Sequence, residues 1–323
     1  MWPLLFWLLI FAPCGKAQEP IRTSSELVKL DVTVLDSKGQ FVAGLNRSDF
    51  HILDNGAEKP VAFSSPVDEP EQVLIVIETS PAVYLIHDQH LFALSALLDG
   101  LDPGDEAALI GYDESPYEIV PFTSDKKALL AAVSDAQFRI GMGDLWFYDS
   151  IRSVLDQFAD TQGKKALVLL TTGLDSSPPD HWDALQTKLR QEDVVIYSVG
   201  LGGPLRGDAS EQPKKTKKKT KHHAETPNSG SIGQMAFAQA DKALLAIAHI
   251  TGGRTYFPQS ADDFEPAYRE IASALRHEYV IGISPEHDGT FHKLTIEIPG
   301  GHDEKGNANF RAFSREGYLA PTR

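Results

Sequence analysis

The stretch that decides the fold is residues 73–82, which read VLIVIETSPA. Its first five residues are apolar without interruption, which is typical of a strand buried on both faces in the middle of a parallel sheet. The sequence then turns polar at Glu78. Because ligands of α/β sheets bind at the carboxyl ends of the strands, this polar end of a buried strand is the first place to look for a functional site.

Four further apolar runs follow along the chain, and stretches with apolar residues at helical spacing separate them. The runs are residues 107–112, 166–171, 194–200 and 254–257. Residues 118–122 are expected to return antiparallel beside 107–112. This alternation of strands and helices predicts an α/β fold with a doubly wound, mostly parallel sheet that is covered by helices on both faces.

Both ends of the chain have β character. Residues 28–34 and 294–298 alternate apolar with polar side chains, and Asn55-Gly56 is typical of a tight hairpin. Neither end has enough strands to be stable alone. We therefore expect residues 24–68 and 278–320 to pair into one small discontinuous β domain, with the α/β unit of residues 71–277 inserted between them.

The N-terminus predicts export. Residues 2–12 form an apolar run that is typical of a secretory signal peptide and short for a transmembrane helix. Small residues precede Gln18, so residues 1–17 are expected to be removed and the protein to be secreted or periplasmic. A lipid anchor on Cys14, the single cysteine, is one alternative, and an uncleaved anchor is another. No later segment is apolar enough to span a membrane.

The formal net charge of −15 argues against nucleic acid as a partner. Residues 204–234 are rich in Gly, Pro and Ser and contain six lysines, a composition that cannot bury a core. The sequence therefore predicts a disordered insert at this point. It is either a plain solvated loop or an electrostatic tether to an acidic surface of the cell envelope.

The sequence predicts that the protein is not an enzyme. Serines are plentiful, but none lies in a nucleophile-elbow context, and none of the eleven histidines lies in a His-Glu-x-x-His frame. The Gly-rich residues 200–203 follow a strand but lack the full dinucleotide fingerprint, and no cofactor is expected. A hydrolase or another envelope enzyme with an unrecognised site is the alternative.

Short motifs follow one another in an order that is similar to a known family. They are Gly44-Leu45, Asp54-Asn55-Gly56, Phe147-Tyr148-Asp149, Thr251-Gly252-Gly253-Arg254 and Arg315-Glu316-Gly317-Tyr318. On these motifs the chain resembles von Willebrand factor type A (VWA) domain proteins, in particular the exported ones of soil bacteria. The resemblance implies a doubly wound sheet and a role in adhesion or protein binding.

The resemblance also implies a position for a metal-ion-dependent adhesion site, at which three loops supply oxygen ligands. The family uses Asp-x-Ser-x-Ser in the first loop, Thr in the second and Asp in the third. The matching positions here are Glu78, Ser80, Ala82, Leu145 and Thr172. Four of the five depart from the motif, and Mg²⁺ requires near-octahedral oxygen ligands. The resemblance therefore implies a domain that kept its fold and lost its metal.

Two readings of this region stay open in the sequence. Asp144 and Asp175 lie next to positions whose residues differ from the metal-binding motif. Mg²⁺-dependent adhesion through a remodelled site is therefore one alternative. The other is a metal-free face that binds an unidentified protein, such as one of the cell envelope, because aromatic side chains often anchor interfaces. The residues predicted for that face are Asp144, Trp146, Phe147 and Asp175. Packing of Trp146 against the helix near Tyr148 is the structural alternative.

Overall fold

The computed structural model describes residues 27–66, 71–80, 87–135, 144–158, 164–203, 229–299 and 310–322. The predicted signal peptide, Cys14, Ala82 and residues 204–228 of the predicted insert lie outside the described residues. Among the described residues, no helix is long and apolar enough to cross a membrane.

The secondary structure begins and ends with strands and alternates in between. The strands are β1 (Val28–Leu35), β2 (His51–Asp54), β3 (Ala57–Lys59), β4 (Val61–Pro66), β5 (Glu71–Glu78), β6 (Glu106–Tyr112), β7 (Pro116–Thr123), β8 (Lys164–Thr171), β9 (Val195–Gly200), β10 (Thr255–Tyr256), β11 (Tyr279–Ile283), β12 (Phe291–Glu297), β13 (Arg311–Phe313) and β14 (Gly317–Leu319). The helices are α1 (His87–Gly100), α2 (Lys126–Asp135), α3 (Phe147–Phe158), α4 (Asp180–Gln191), α5 (Ser229–Thr251) and α6 (Phe264–Arg276).

The α/β unit contains a six-stranded sheet with the order β10-β9-β8-β5-β6-β7. All neighbouring strands are parallel except β6 and β7, which are antiparallel as the sequence predicts. Strand β5 is central, and its side chains alternate between two cores. Val73, Ile75 and Ile77 face the core with α1, α2 and α6, whereas Leu74 and Val76 face the core with α3, α4 and α5. The unbroken apolar run of β5 follows from burial on both faces.

Helix α5 corrects the sequence prediction. The predicted disordered insert ends too late, because residues 229–234, which were assigned to it, are the first turns of this helix. Its buried apolar side chains are Phe237, Ala240, Ala243, Leu244, Ile247, Ala248 and Ile250. This spacing is helical, but the polar, lysine-rich stretch before it hides where the helix begins.

The two ends of the chain form a sandwich of two four-stranded sheets, with the orders β13-β1-β11-β4 and β14-β12-β2-β3. Strand β11 pairs antiparallel with β1, where Leu30 lies opposite Ile281, and β12 pairs with β2, where Ile296 lies opposite Ile52. Each sheet thus combines strands from before and after the α/β unit. The predicted fold class, a doubly wound α/β unit inserted in a small discontinuous β domain, is confirmed.

A buried charged cluster joins the two units at the N-terminal ends of β5 and β8. The Nζ atom of Lys164 lies 2.6 Å from Oε2 of Glu278 and 3.4 Å from Oε1 of Glu71. Glu278 Oε1 also accepts hydrogen bonds from Tyr197 Oη at 3.0 Å and from Thr33 Oγ1 at 3.3 Å. Because these groups leave water together, Lys164 and Tyr197 of the α/β unit depend on Glu278 of the β domain, and Glu278 depends on them.

Burial changes the protonation of this cluster. Loss of hydration raises the pKa of Glu71 to about 8, and Lys164 only partly offsets that effect. Burial also raises the pKa of the nearby Asp31 to about 7, with the charge of Glu278 as a second cause. For Lys164, burial lowers the pKa, but the surrounding carboxylates outweigh it and hold the pKa above its usual value.

A second junction lies in the segment between β13 and β14. Arg190 of α4 donates from Nε to Glu316 Oε1 at 2.6 Å, and Arg315 donates from Nη2 to the Arg190 carbonyl at 3.0 Å. The Glu316 amide donates to the Ile250 carbonyl at 3.1 Å. These contacts and the charged cluster hold the sandwich at the N-terminal ends of the parallel strands, which leaves the carboxyl ends on the other side.

We predict that Glu71→Gln changes how stability depends on pH. Between pH 4.5 and about 8, folded Glu71 holds a proton that the unfolded chain releases, so its contribution to stability falls as pH rises. Glutamine removes this dependence. The free energy of unfolding of the variant, measured by urea denaturation from pH 5 to 9, should rise relative to the parent, by at most about 1.4 kcal/mol per pH unit.

The matched control is Glu106→Gln, because Glu106 is exposed at the start of the adjacent strand β6. Its pH profile should follow that of the parent protein. If Glu71→Gln also follows the parent at every pH, Glu71 does not carry the buried proton.

Candidate functional site

The order of the sheet reverses between β5 and β8. Strand β5 leads through α1 to β6 on one side, whereas β8 leads to β9 on the other side. In doubly wound sheets, the crevice at the carboxyl ends of two such strands is where ligands bind. Glu78 ends β5 and Thr171 ends β8, so these two residues flank this crevice.

The carboxylate of Glu78 is fully buried and is the acceptor at the centre of a hydrogen-bond network. Ser80 Oγ donates to Oε1 at 2.5 Å. Four groups lie within hydrogen-bonding distance of Oε2: the Thr172 amide at 2.6 Å, Thr172 Oγ1 at 2.8 Å, Thr171 Oγ1 at 3.1 Å and Tyr112 Oη at 3.2 Å. The extra methylene of glutamate lets one carboxylate reach donors on both neighbouring strands.

The hydroxyl groups of Tyr112 and Thr171 are hydrogen-bonded to each other. The two oxygens lie 2.5 Å apart, and each hydroxyl carries a single hydrogen. One of them therefore donates to the other, and only the second donates to Glu78. Thr171 Oγ1 also accepts the Gly173 amide at 2.8 Å, so its lone pairs are used as well. Burial raises the pKa of Tyr112 well above its usual value, and the Glu78 charge adds to this effect. Tyr112 is therefore a neutral donor.

These residues do not fit the oxygen set that Mg²⁺ requires. Ser80 and Thr172, which occupy motif positions, already donate their hydroxyl protons to Glu78. Leu145, at the threonine position of the second loop, has an apolar side chain. Ala82 lies outside the described residues. Among the described residues, no group of three or more His, Cys, Asp or Glu side chains is arranged to hold a metal ion.

The two neighbouring aspartates have different environments. Asp175 accepts the Tyr148 amide with Oδ1 at 3.1 Å, and thereby caps the N-terminus of α3. Its Oδ2 accepts the Ser177 amide at 2.9 Å and also bonds the Ser177 hydroxyl. Asp144 is exposed. Asp175 thus has a structural function at the helix terminus that occupies both of its oxygens.

The second loop presents Trp146 and buries Phe147. The side chain of Trp146 is 45% exposed, whereas Phe147 is fully buried and packs against Tyr112, with ring centroids 6.0 Å apart. The prediction that Phe147 belongs to an exposed interaction face is therefore wrong. As the first residue of α3 it points into the core, and the next residue of the helix, Tyr148, packs on Trp182.

The main chain around Trp146 is fixed on both sides. Its amide donates to the Asp113 carbonyl at 3.2 Å, and its carbonyl accepts the Ser150 amide at 2.9 Å. The carbonyl of Leu145 accepts the Ser176 amide at 2.7 Å, which ties the second loop to the third. Trp146 is therefore a half-exposed residue on a main chain that hydrogen bonds hold in place.

Three residues of this region were not predicted from the sequence. Tyr112 and Thr171 are the last residues of predicted strands, so the strand ends themselves were the signal that could have found them. His181 lies at the start of α4, with Nδ1 2.5 Å from Oδ2 of Asp149. Arg152 also contacts Asp149 at 3.0 Å. Among the described residues, Asp149 is the hydrogen-bond partner of the His181 ring, and no serine hydroxyl joins the pair.

No protein-family model matches the chain, and no curated protein matches it. Solved structures do match. A von Willebrand factor type A protein from Catenulispora acidiphila is 14% identical, with a TM-score of 0.45 over 84% of this chain and 62% of that chain. An aerotolerance-related membrane protein from Bacteroides fragilis is 14% identical, with a TM-score of 0.43 over 62% of this chain and 98% of that chain. Proximal thread matrix protein 1 from the mussel byssus, solved with zinc in its adhesion motif, is 14% identical, with a TM-score of 0.47 over 68% of this chain and 50% of that chain.

At these identities the matches concern the fold alone. The strand order β10-β9-β8-β5-β6-β7, with three helices on each face, has the doubly wound form that the sequence resemblance implies. The chain thus has a doubly wound α/β fold.

We predict that Glu78→Gln destabilises the protein. Glutamine offers one acceptor oxygen in place of two, and its amide faces groups that are themselves donors. A buried donor left without an acceptor costs about 1–3 kcal/mol, so the free energy of unfolding should fall by about that amount in urea denaturation. Glu114→Gln, in the exposed loop after β6, is the control and should change it by less than about 0.5 kcal/mol. A Glu78→Gln variant as stable as the parent would contradict the network described here.

Proposed function

We propose that this chain is an exported, non-enzymatic protein-binding module, with a binding face at the carboxyl end of the sheet that works without a divalent cation. The observation that carries the proposal is the Glu78 network. In a metal-dependent site of this fold, a carboxylate and hydroxyls would coordinate the cation. Here the hydroxyls of Ser80 and Thr172 donate to the carboxylate instead.

The network supports a metal-free face on energetic grounds. A cation would need lone pairs of Glu78 that now accept hydrogen bonds inside a buried site. Mg²⁺ also gives up its water reluctantly, and the motif positions Leu145 and Thr172 offer no carboxylate to compensate. Asp175 does not supply one, because it caps α3 with one oxygen and binds Ser177 with the other.

Trp146 is the proposed anchor of the face. A large aromatic side chain on a fixed main chain loses little conformational freedom when it binds, which favours affinity. Tryptophan is also enriched among the residues that dominate interface energies. Asp144 is exposed beside it and Asp175 is partly exposed, so the proposed face combines one aromatic group with acidic neighbours. The partner is a protein, and a protein of the cell envelope fits the predicted export.

The first experiment is a calorimetric titration of the purified protein with Mg²⁺ and then with Mn²⁺. We expect no binding heat at millimolar metal, because the oxygens around Glu78 already have partners. The control for the assay is the fourfold variant Glu78→Asp, Ala82→Ser, Leu145→Thr and Thr172→Asp, which rebuilds the motif. Micromolar binding by the parent protein would instead favour Mg²⁺-dependent adhesion through a remodelled site.

The second experiment is an envelope-protein pull-down with Trp146→Ala, in EDTA and again in Mg²⁺. We expect the parent to retain its partner in both buffers and Trp146→Ala to lose it, since loss of an anchor costs at least about 2 kcal/mol. Leu319→Ala is the matched control, because Leu319 is 51% exposed but lies on β14 of the sandwich. A partner that is lost in EDTA, or lost equally in both variants, would contradict the proposed face.

A further inference from the structure

A cavity of about 510 Å³ lies between α6 and the turn of residues 36–41 that follows β1. Its lining includes Thr33 and Leu35 from β1 and Ala274 from α6. None of the residues around Glu78 contributes to it. Its volume lies within the range of about 300–1,000 Å³ that is usual for small-molecule pockets.

Arg254 supplies a restrained cation to this cavity. Its side chain is only 17% exposed, and its guanidinium lies 5.4 Å from the ring centroid of Tyr256 and 5.8 Å from that of Phe313. Among the described residues, Glu270 is the carboxylate within ion-pair distance, and it lies 3.5 Å away with a side chain that is 55% exposed. A guanidinium has five N–H donors in a planar fork, so a single contact of this length leaves most of them unused.

An aromatic wall lies in the same cavity. The ring of Phe41 stacks on that of Tyr279 with centroids 5.5 Å apart, and it lies 5.1 Å from the ring of His277. Because neighbouring rings hold Phe41 in place, it offers a preformed apolar surface. Arg269 also lines the cavity, but it is 72% exposed and already paired with Glu265, which places it at the rim.

We propose that this cavity binds a carboxylate-bearing ligand with an apolar body. The ligand carboxylate pairs in bidentate fashion with Arg254, which is the geometry that a guanidinium favours. Glu270 then turns toward solvent, where its exposed side chain has room to move. The apolar body lies against Phe41. The ligand is either a small organic acid or the terminal carboxylate of a peptide, since both present the same chemistry.

The test is a calorimetric titration of the full chain with benzoate, with benzamide as the uncharged probe of the same shape. We expect benzoate to bind at least about 10-fold more tightly than benzamide, because charge-assisted hydrogen bonds are roughly twice as strong as neutral ones. Arg254→Gln should remove this preference. Equal binding of the two probes, or no binding of benzoate, would overturn the proposal.

Two further variants keep the test decisive if Arg254→Gln fails to fold. Ser273→Leu fills the cavity from α6 and leaves Arg254 in place, so benzoate binding should be lost. Arg269→Ala removes the rim charge and should change benzoate affinity less than about 3-fold, since an exposed charge contributes little. Benzoate binding that survives Ser273→Leu would place the ligand elsewhere and overturn the proposal.

A second titration, with peptides as probes, distinguishes the two sources of the carboxylate. The probes are acetyl-Ala-Phe with a free carboxylate and the same peptide as its amide. If the acid binds more tightly than both its amide and benzoate, the ligand is a chain terminus. If benzoate binds more tightly than the peptide acid, the ligand is a small organic acid.

Discussion

Strand β11 hydrogen-bonds to β1 along one edge and to β4 along the other, and the rest of the structure depends on this double pairing. It joins the two ends of the chain into one sandwich and fixes where the α/β unit enters and leaves. Strands β11 and β4 pack closely at Gly282, where a Cβ atom would lie 2.1 Å from the ring of Phe63. The same strand brings the preceding residue, Glu278, against Lys164, so the pairing also completes the buried charged cluster.

The carboxyl end of the sheet shows how protein donors surround a buried carboxylate. A carboxylate that leaves water needs partners, and Glu78 has them from its own loop through Ser80 and from β8 through Thr171 and Thr172. Tyr112 adds a contact from β6. Because these contacts come from three adjacent strand ends, the network stabilises the sheet where its order reverses. Hydrogen bonds from these groups therefore join the strand ends at the carboxyl edge of the sheet.

Much of this fold could be predicted from the sequence, because its signals are local. The unbroken apolar run of β5 indicates a strand that is buried on both faces. The alternation of apolar and polar residues in β1 and β12 indicates strands that are buried on one face. Helix α5 was not predicted from the sequence, and the predicted insert covers its first residues, since the composition of the preceding stretch outweighed periodicity. The candidate functional site was harder to predict from the sequence. Neighbouring positions in sequence gave no indication that Phe147 turns inward while Trp146 turns outward, because that depends on where α3 begins. The hydrogen bond between Tyr112 and Thr171 joins two strands that are not sequence neighbours, so no local pattern reports it.

The insertion of the α/β unit has a consequence for the order of events during synthesis. Strands β1, β2 and β4 leave the ribosome before the α/β unit, but their partners β11 and β12 lie more than 200 residues later in the chain. At about 5–20 residues per second, the first strands wait roughly 10–50 s for those partners. The α/β unit takes its sheet strands from consecutive sequence and can complete its core during that time. Strands that are made before the α/β unit thus reach their final pairing after it, and until then their edges are open to other chains.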